Sequence, residues 1–265
     1  MDRREILPER PVEKGRGFMP GVSVNPSRVL FTAGLTGRDS AFKLVAGGMA
    51  PQTRRTFERL QAILGHAGAK FSDTVKQLVY VTDVQTYNAV GRAERAKFFG
   101  NDRAASTGLV VRRLADPEML IEVELVVGLG SSRSGAPLLE KYNVERHPGD
   151  FHQGVIVNGG RLVYLAGQVA NNVDGSVAGG DGDWRRQAEK IYENIGHLLR
   201  AAGATPASVV KETTWVLGID IWRQHGAPVR RGFYSGDFPA STLVEIPGLA
   251  RPEFLVEIDV IAAVA

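Results

Sequence analysis

Two segments of alternating sequence place carboxylates on one face of a predicted strand. Residues 255–260 read Leu-Val-Glu-Ile-Asp-Val, so a strand here directs Glu257 and Asp259 away from the apolar side chains between them. Residues 121–125 repeat the pattern with Glu122 and Glu124. A carboxylate of this kind can exchange a proton with water in a pocket. It can also be solvated or paired with a cation at an interface, which we favour for Glu124 and Asp259.

A short hydroxyl motif precedes each of these strands. It contains Ser106-Thr107 in the first half of the chain and Ser241-Thr242 in the second. A nucleophilic serine needs a base and an oxyanion site, and His152 is the one of the five histidines that we consider as this base. We therefore favour a binding role, with the serine as hydrogen-bond donor, or a structural role at the start of a strand.

The carboxylate strands and the hydroxyl motifs belong to one sequence repeat. The pattern around Phe18 recurs 133 residues later around Phe151, and from Gln52 onward the spacing becomes 135, with Gln187 as the counterpart. The identities then continue without a gap to the last residues. Self-similarity at a fixed spacing is typical of duplicated structural units, so the chain is interpreted as two copies of one module.

Each copy predicts the same order of elements, roughly ββαβαββ. Strands at 28–33 and 161–166 are followed by a helix that ends at Gly68 or Gly203, a β-rich run, a second helix ending near Phe99 or Tyr234, and two closing strands. This order favours an α+β fold in which each copy is a mixed sheet with two helices on one face. The predicted boundaries are an N-terminal tail at 1–17, module one at 18–130, a Ser/Gly/Pro-rich linker at 131–148 and module two at 149–265.

Composition narrows the classes of function. The chain has 265 residues, a net charge of +3 and no Lys/Arg-rich run, so we expect no nucleic-acid partner. The lack of cysteine excludes disulfides, thiolate metal sites and a cysteine nucleophile. No apolar run approaches the about 20 residues of a membrane span. We therefore expect a cytoplasmic protein with a small-molecule substrate and no membrane contact.

In their order along the chain these motifs resemble the Rid (YjgF-like) family of reactive-intermediate deaminases. The stretches of copy two that carry the resemblance are Gly149 to Val155, Ala166 to Gln168, Ala202 to Ala204, Phe238 to Thr242 and Leu249 to Ile258. Copy one matches nearly as fully, so the resemblance covers essentially residues 18–130 and 149–265. Each stretch is weak by itself, whereas the ordered set at module length is specific.

The resemblance implies a chorismate-mutase-like fold in which three modules surround a barrel, with pockets between modules. Because one two-module chain cannot close a ring of three, we expect a homo-oligomer, most simply a trimer of chains. Family members hydrolyse imines and enamines such as 2-aminoacrylate without a metal or an organic cofactor. The family's water-activating Glu corresponds to Glu122 and Glu257. The residues that match the family's pocket-closing positions are Phe18, Phe151, Gly167, Gln168 and, at the pocket edge, Trp222.

The chain departs from the family at the position of the arginine that holds the substrate carboxylate. Ser106 and Ser241 occupy this position in the two copies. A hydroxyl offers one neutral hydrogen bond where a guanidinium offers a charged, bidentate contact, a difference of about 1–2 kcal/mol. Two explanations follow: the substrate is neutral or aromatic and is bound by Ser241, or another arginine, such as Arg113 or Arg251, reaches the pocket.

Two classes of function are consistent with these observations. The first is a Rid-like hydrolase of a C–N bond in an imine, enamine or related molecule, distinct from a standard 2-imino acid deaminase. In it Glu257 or Glu122 handles water, while Ser241, Thr242, Ser106 and Thr107 contact the substrate. The second is a non-catalytic, ligand-binding or chaperone-like module whose pocket has degenerated. RNA cleavage is a third hypothesis, and the lack of a basic patch in the sequence argues against it.

Overall fold

The computed structural model describes residues 3–6, 21–24, 26–100, 104–130, 135–144, 150–180 and 182–265. The elements of copy one are β1 (Arg3–Ile6), β2 (Gly21–Val24), β3 (Arg28–Thr32), β4 (Leu35–Thr36), α1 (Met49–His66), β5 (Thr74–Val81), α2 (Val84–Thr86), a π-helical turn (Tyr87–Gly91), α3 (Arg92–Phe99), β6 (Ala105–Val110) and β7 (Ile121–Leu129). Those that follow are β8 (Leu139–Tyr142), β9 (Gly154–Val157), β10 (Arg161–Tyr164), α4 (Trp184–Ala201), β11 (Val209–Val216), α5 (Ile219–Tyr234), β12 (Ala240–Glu245) and β13 (Val256–Val264).

The long helices α1 and α4 form where apolar residues recur at three- and four-residue spacing, and they bury that face against the sheets. Asp183 caps α4, since its carboxylate accepts a hydrogen bond from the backbone N–H of Arg186 at 2.9 Å. Both helices end at the predicted glycines, which adopt positive φ angles of 71° at Gly68 and 75° at Gly203. The second helices end at Phe99 and Tyr234, as predicted.

The two copies build the same four-stranded core sheet. Its order is β3-β7-β5-β6 in copy one and β10-β13-β11-β12 in copy two. In each copy the third strand pairs parallel to the fourth and antiparallel to the second. The register is also repeated: Tyr80 lies opposite Glu122 and Trp215 lies opposite Glu257, each at the spacing of 135 residues. The predicted α+β duplication is therefore confirmed.

The first strand of copy two lies in the sheet of copy one. β9 pairs antiparallel with β3 and, on its other side, with β8. Its counterpart in copy one, β2, pairs instead with β1. Among the described residues no strand pairs with the outer edge of β10, which ends the sheet of copy two. The two copies thus share backbone hydrogen bonds across the boundary between them, which we call the seam. They are not two separate domains in space.

Two segments that we expected to be irregular contain strands. Arg3–Ile6 forms β1 within the predicted tail, and Leu139–Tyr142 forms β8 within the predicted linker. A strand that pairs at a sheet edge satisfies its backbone groups with little help from side-chain pattern, so composition does not reveal it. The remainder of the tail and the linker residues 131–134 and 145–149 lie outside the described residues.

The outer edge of β12 receives hydrogen bonds from copy one. The backbone N–H of Gly34 donates to the carbonyl of Ser241 at 3.1 Å, and Arg112 donates to the carbonyl of Glu245 at 3.0 Å. Deeper in the seam, Lys211 of copy two forms a buried ion pair with Glu124 of copy one, with 2.6 Å between Nζ and the carboxylate. The expectation that Glu124 is paired at an interface is confirmed.

Candidate functional site

A cavity of about 350 Å³ opens at the seam, beside the edge of β12. This volume lies in the range of sites for small molecules. Copy one contributes residues from β4, β7, α1 and two loops, and copy two contributes residues from β11, β12, α5 and the segment before β9. The lining residues are Gly34, Leu35, Thr36, Arg38, Phe42, Arg59, Ala115, Met119 and Glu122 of copy one, and Asp150, Phe151, Thr214, Trp222, Arg223, Ala227, Arg230, Arg231, Ser241 and Leu243 of copy two.

Glu122 is the buried carboxyl of this cavity. It lies on β7 and is 4% exposed. Its side chain passes directly over Gly34, where a Cβ atom would lie 1.8 Å from the carboxylate Oε1, so any other residue at position 34 would displace the carboxylate. Burial raises the pKa of Glu122 to about 8, the Glu124 carboxylate adds to the increase, and Lys211 opposes it. A carboxyl group in this range can give or accept a proton near neutral pH.

Ser241 lines the cavity beside Gly34, whose backbone N–H donates to the Ser241 carbonyl at 3.1 Å. Its register partner on the neighbouring strand is Glu212, and two residues further along the two strands Thr214 and Leu243 also line the cavity. Since residues two apart on a strand share a face, Ser241 faces the same side as Glu212, toward α5. The site therefore brings a Glu from one copy together with the hydroxyl motif of the other.

Aromatic and aliphatic side chains form much of the remaining wall. Trp222 of α5 is 2% exposed, and the absence of a side chain at Gly226 leaves room for its ring. Phe42 has a φ angle of 64°, unusual for a residue other than glycine, and its ring lies under the guanidinium of Arg38 at 4.7 Å. Phe151 lies at the start of copy two, beside the cavity, as the resemblance implied. These groups suit an apolar portion of a ligand.

Five arginines line the cavity, and sequence patterns did not single out any of them. They are Arg38, Arg59, Arg223, Arg230 and Arg231. The two arginines that we considered as replacements for the family clamp are not among the lining residues. Arg113 pairs with Asp220 at 2.7 Å and Arg251 pairs with Glu253 at 3.2 Å.

A signal for one of these arginines was present in the repeat. Arg230 and Arg95 occupy the same position in the two copies, but the residue that binds Arg230 is Glu212, whereas Arg95 is bound by Gln77. The exchange of Gln77 for Glu212 between the copies therefore gives Arg230 a charged partner that Arg95 lacks.

The other predicted residues of the hydroxyl motifs lie elsewhere. Thr242 is turned to the opposite face of β12, where its hydroxyl accepts from Lys211 at 2.6 Å and donates to Glu124. Thr107 accepts from Lys76 at 2.6 Å in the same arrangement of copy one. Ser106 lies on the edge strand β6 and does not line the cavity.

Glu257 and its neighbours form a second, open arrangement. Glu257 is half-buried and lies over Gly167, where a Cβ atom would be 2.0 Å from Oε1. Gln168 pairs through its backbone with Ile258, and its side-chain amide donates to the carbonyl of Ala166 at 2.9 Å. None of these residues lines the cavity at the seam. Phe18 lies outside the described residues.

His152 does not support a serine nucleophile. Its ring nitrogen Nδ1 is 2.6 Å from the carbonyl oxygen of Phe238, and the residue does not line the cavity. Among the described residues no group of three or more His, Asp and Glu side chains is arranged to hold a metal ion. No helix in the described part of the chain is long and apolar enough to cross a membrane.

Comparison with known families gives two matches along the chain. The family model described as Endoribonuclease L-PSP matches residues 17–128 and again residues 146–264. These ranges correspond to the two copies, each carrying one core sheet.

Similar curated proteins come from distant organisms. A RutC family protein of Synechocystis is 30% identical over 114 residues, which cover 43% of this chain and 85% of that protein. A RutC family protein of Pyrococcus abyssi is 33% identical over 84 residues, 32% of this chain and 65% of that protein, just under two thirds of its length. Among solved structures, a conserved Rid-family protein of unknown function from Yersinia pestis is 33% identical, with a TM-score of 0.42; the match covers 48% of this chain and all of that one.

Proposed function

Since the chain belongs to the Endoribonuclease L-PSP family, which it represents with two tandem modules, we propose that it hydrolyses a carbon–nitrogen bond in an imine, an enamine or a related small molecule. The observation that supports this most is Glu122, a buried carboxyl group of raised pKa in a cavity that Ser241 also lines. The reaction is assigned to Glu122 and not to Glu257, because Glu257 lies outside this cavity.

The proposed reaction needs one group that passes a proton in both directions. In its ionised form Glu122 accepts a proton from water as the water oxygen bonds to the imine carbon. The resulting carboxylic acid donates that proton to the nitrogen, which gives a neutral carbinolamine. Glu122 then takes the proton of the new hydroxyl group and passes it to the nitrogen. As the C–N bond breaks, the hydroxyl oxygen becomes the carbonyl oxygen and the nitrogen leaves as ammonia. With a pKa of about 8, roughly a tenth of Glu122 is ionised at pH 7, so both forms are accessible.

Ser241 and Trp222 bind the substrate in this proposal. Ser241 lines the cavity, and its hydroxyl can donate one hydrogen bond to a substrate. The indole of Trp222 packs against the apolar part of the molecule. Thr242, Ser106 and Thr107 have no role here, because their side chains contact Lys211 or Lys76 or lie on β6.

The shape of the cavity favours an enzyme over a degenerate, non-catalytic module. A degenerate pocket is expected to be filled by side chains, whereas this one leaves about 350 Å³ open beside a buried acid. Its aromatic wall and single buried carboxyl also fit a small molecule better than an RNA strand, which is bound along a basic, extended surface.

The test is hydrolysis of a panel of imines and enamines, both neutral and carboxylated, measured by ammonia release. Glu122→Gln removes the proton-transfer group and keeps the shape of the side chain. Glu257→Gln makes the same change at the equivalent position of copy two and is the matched control. We expect Glu122→Gln to lower kcat by about 100-fold or more and Glu257→Gln to change it less than about threefold.

Equal turnover in Glu122→Gln and wild type would remove Glu122 from the mechanism. Binding of panel compounds by wild type without any ammonia release would favour the ligand-binding alternative. Cleavage of RNA by the wild type, lost in Glu122→Gln, would show that the site acts on a polymer.

We also propose that the chain assembles with further copies of itself. Lys211 and Glu124 pair across the seam, but their counterparts, Lys76 and Asp259, form no ion pair among the described residues. Burial raises the pKa of Asp259 to about 6, and Glu124 adds to the increase while Lys211 opposes it. The edge strand β6, with Val110 59% exposed, likewise has no partner on its outer side in the described chain.

A module of another chain, placed between β6 of copy one and the part of copy two that contains Gly167, would supply partners for Lys76, Asp259 and the outer edge of β6. Because each chain has two modules, three chains are the simplest closed set. Sedimentation equilibrium of the full chain should give three times the mass of 28.6 kDa. Lys76→Glu replaces a positive charge by a negative one at the contact proposed for Lys76 and Asp259. The two negative charges should repel each other and dissociate the assembly. A monomeric wild type would contradict it.

A further inference from the structure

The seam cavity contains a guanidinium whose hydrogen bonds are incomplete. Arg230 lines the cavity and is 8% exposed. Its Nε is 2.5 Å from Glu212 Oε1, and its Nη1 donates to the carbonyl of Asp150 at 2.8 Å. Its Nη2 is buried and has no hydrogen-bond partner among the described residues. A buried donor without a partner costs free energy, so such a group calls for an explanation.

The guanidinium is held in place by a network built around a buried ion pair. Glu212 is fully buried and also accepts hydrogen bonds from the hydroxyls of Tyr234 at 2.7 Å and Tyr192 at 3.1 Å. The ring of Tyr234 lies 5.2 Å from the guanidinium carbon and that of Phe238 lies 5.3 Å from it. Two hydrogen bonds and two rings fix the orientation of Arg230, as is typical of a group that must meet a ligand in one geometry.

Copy one shows what this position looks like without the network. Arg95 is bound by the neutral Gln77 at 3.1 Å, and it does not line the cavity. The two tyrosines of copy two correspond to Phe57 and Phe99. The helix of copy one thus packs against its sheet without a carboxylate at the position of Glu212 and without either hydroxyl.

The network lies directly beside the position where the family has its clamp. Ser241 and Glu212 are register partners on adjacent parallel strands and face the same side of the sheet. Arg230 reaches that side from α5 through its contact with Glu212. Position 241 of β12 carries a serine where the family has an arginine. A guanidinium is nevertheless present nearby, because Arg230 of α5 contacts the neighbouring strand β11 at Glu212.

We propose that Arg230 binds an anionic group of the ligand, so that the cavity takes a carboxylated imine or enamine with an apolar side chain. The class of reaction rests on the proposed function, whereas the anion site does not. The carboxylate accepts a charge-assisted hydrogen bond from Nη2 of Arg230. The apolar part lies against Trp222 and Phe151, and the reacting carbon lies toward Glu122.

The test uses phenylpyruvate, the oxo acid that hydrolysis of a ligand of this class would leave, and its neutral methyl ester. Both are titrated calorimetrically into the full-length wild type, Arg230→Gln and, as the matched control from copy one, Arg95→Gln. We expect wild type and Arg95→Gln to bind phenylpyruvate at least tenfold more tightly than the ester. Arg230→Gln should lose this preference.

A second variant guards against misfolding. The double variant Arg230→Met with Glu212→Gln removes both halves of the ion pair, so that no charge is left buried without a partner. It should fold and bind the two compounds equally. Equal affinity of wild type for acid and ester, failure of wild type to bind phenylpyruvate, or a preference that survives in both Arg230 variants would overturn the proposal.

The same experiment separates this inference from the proposed function. Binding that depends on Arg230 without turnover of any imine would leave the anion site standing and remove the hydrolase. Turnover that depends on Glu122, with an unchanged KM for carboxylated substrates in Arg230→Gln, would support the hydrolase and remove the anion site. The conservative variant Arg230→Lys keeps the charge and should recover part of the preference for the acid, which a purely structural role would not produce.

Discussion

Copy one and copy two fold the same core sheet in the same register, yet they bring different polar groups to the cavity between them. Copy one supplies the carboxyl of Glu122, buried against Gly34. Copy two supplies the hydroxyl wall of Ser241 and the Glu212–Arg230 network beneath α5. The equivalent groups, Glu257 on one side and Ser106 with Arg95 on the other, do not meet within the chain.

This difference shows how a duplication can divide one site between two copies. A single module must carry both halves of a pocket, the acid and the binding wall. Once two copies face each other across a fixed seam, each needs only one half for that pocket. Gln77 in place of Glu212 indicates that the wall of copy one has not kept, or never gained, the charged network. A pocket built from Glu257 of one chain and Ser106 of another would therefore bind anions less tightly than the cavity at the seam.

The largest expected effect concerns the ion pair that joins the copies. Lys211→Met leaves Glu124 buried without its cation, which should lower the free energy of unfolding by about 3–5 kcal/mol. Because the pair is within one chain, the loss should not depend on protein concentration. Lys76→Met alters the counterpart that we assign to a contact between chains, so its effect should shrink on dilution. Denaturant unfolding at several concentrations distinguishes the two, and a concentration-dependent loss in Lys211→Met would contradict the intrachain seam.

The next effect concerns the glycines under the two carboxyls. Gly34→Ala forces Glu122 to move, because the new Cβ would lie 1.8 Å from Oε1. We expect kcat to fall by about 10- to 100-fold, since small displacements of a reacting group have effects of this size. Gly167→Ala displaces Glu257 in the same way and should leave kcat within about threefold. Steady-state kinetics on a cleaved imine measures both; similar losses in the two variants would mean that both acids act.

The third expected effect is on stability as a function of pH. The pKa of Glu122 is about 8 in the folded chain against an ordinary value of 4.5. The folded state therefore keeps a proton that the unfolded chain releases in this window, and wild type loses stability as pH rises from about 5 to 8. Glu122→Gln lacks this loss, so its stability relative to wild type should increase by about 1 kcal/mol per pH unit. A stability difference between Glu122→Gln and wild type that does not change with pH would contradict the raised pKa of Glu122.

Much of the fold could be predicted because the same residue pattern occurs in both copies. The repeat, the helix ends at Gly68 and Gly203, and the alternation that places Glu122 and Glu257 on strands all follow from local pattern. The pairing of β9 with β3 could not be predicted, because strand partners are chosen by packing across the seam and not by residues within the strand. The strand β8 was missed for the same reason.

The candidate site could be predicted in part. Glu122, Ser241, Phe151 and Trp222 were identified and lie together, but sequence alone could not show that the acid and the hydroxyl come from different copies. The arginines were missed because scattered cations are usually solvated. The exchange of Gln77 for Glu212 is visible in the sequence, but only the structure shows that Glu212 binds Arg230.

The most direct measurement is the pH dependence of kcat/KM for the same imine in wild type, Glu257→Gln and Glu122→Gln. If ionised Glu122 activates water, kcat/KM of wild type and of Glu257→Gln should rise with pH through an apparent pKa near 8 and then level off. The same rise should be absent from the residual activity of Glu122→Gln. A rise that persists in Glu122→Gln, or that disappears in Glu257→Gln, would contradict the assignment of the reaction to the cavity at the seam.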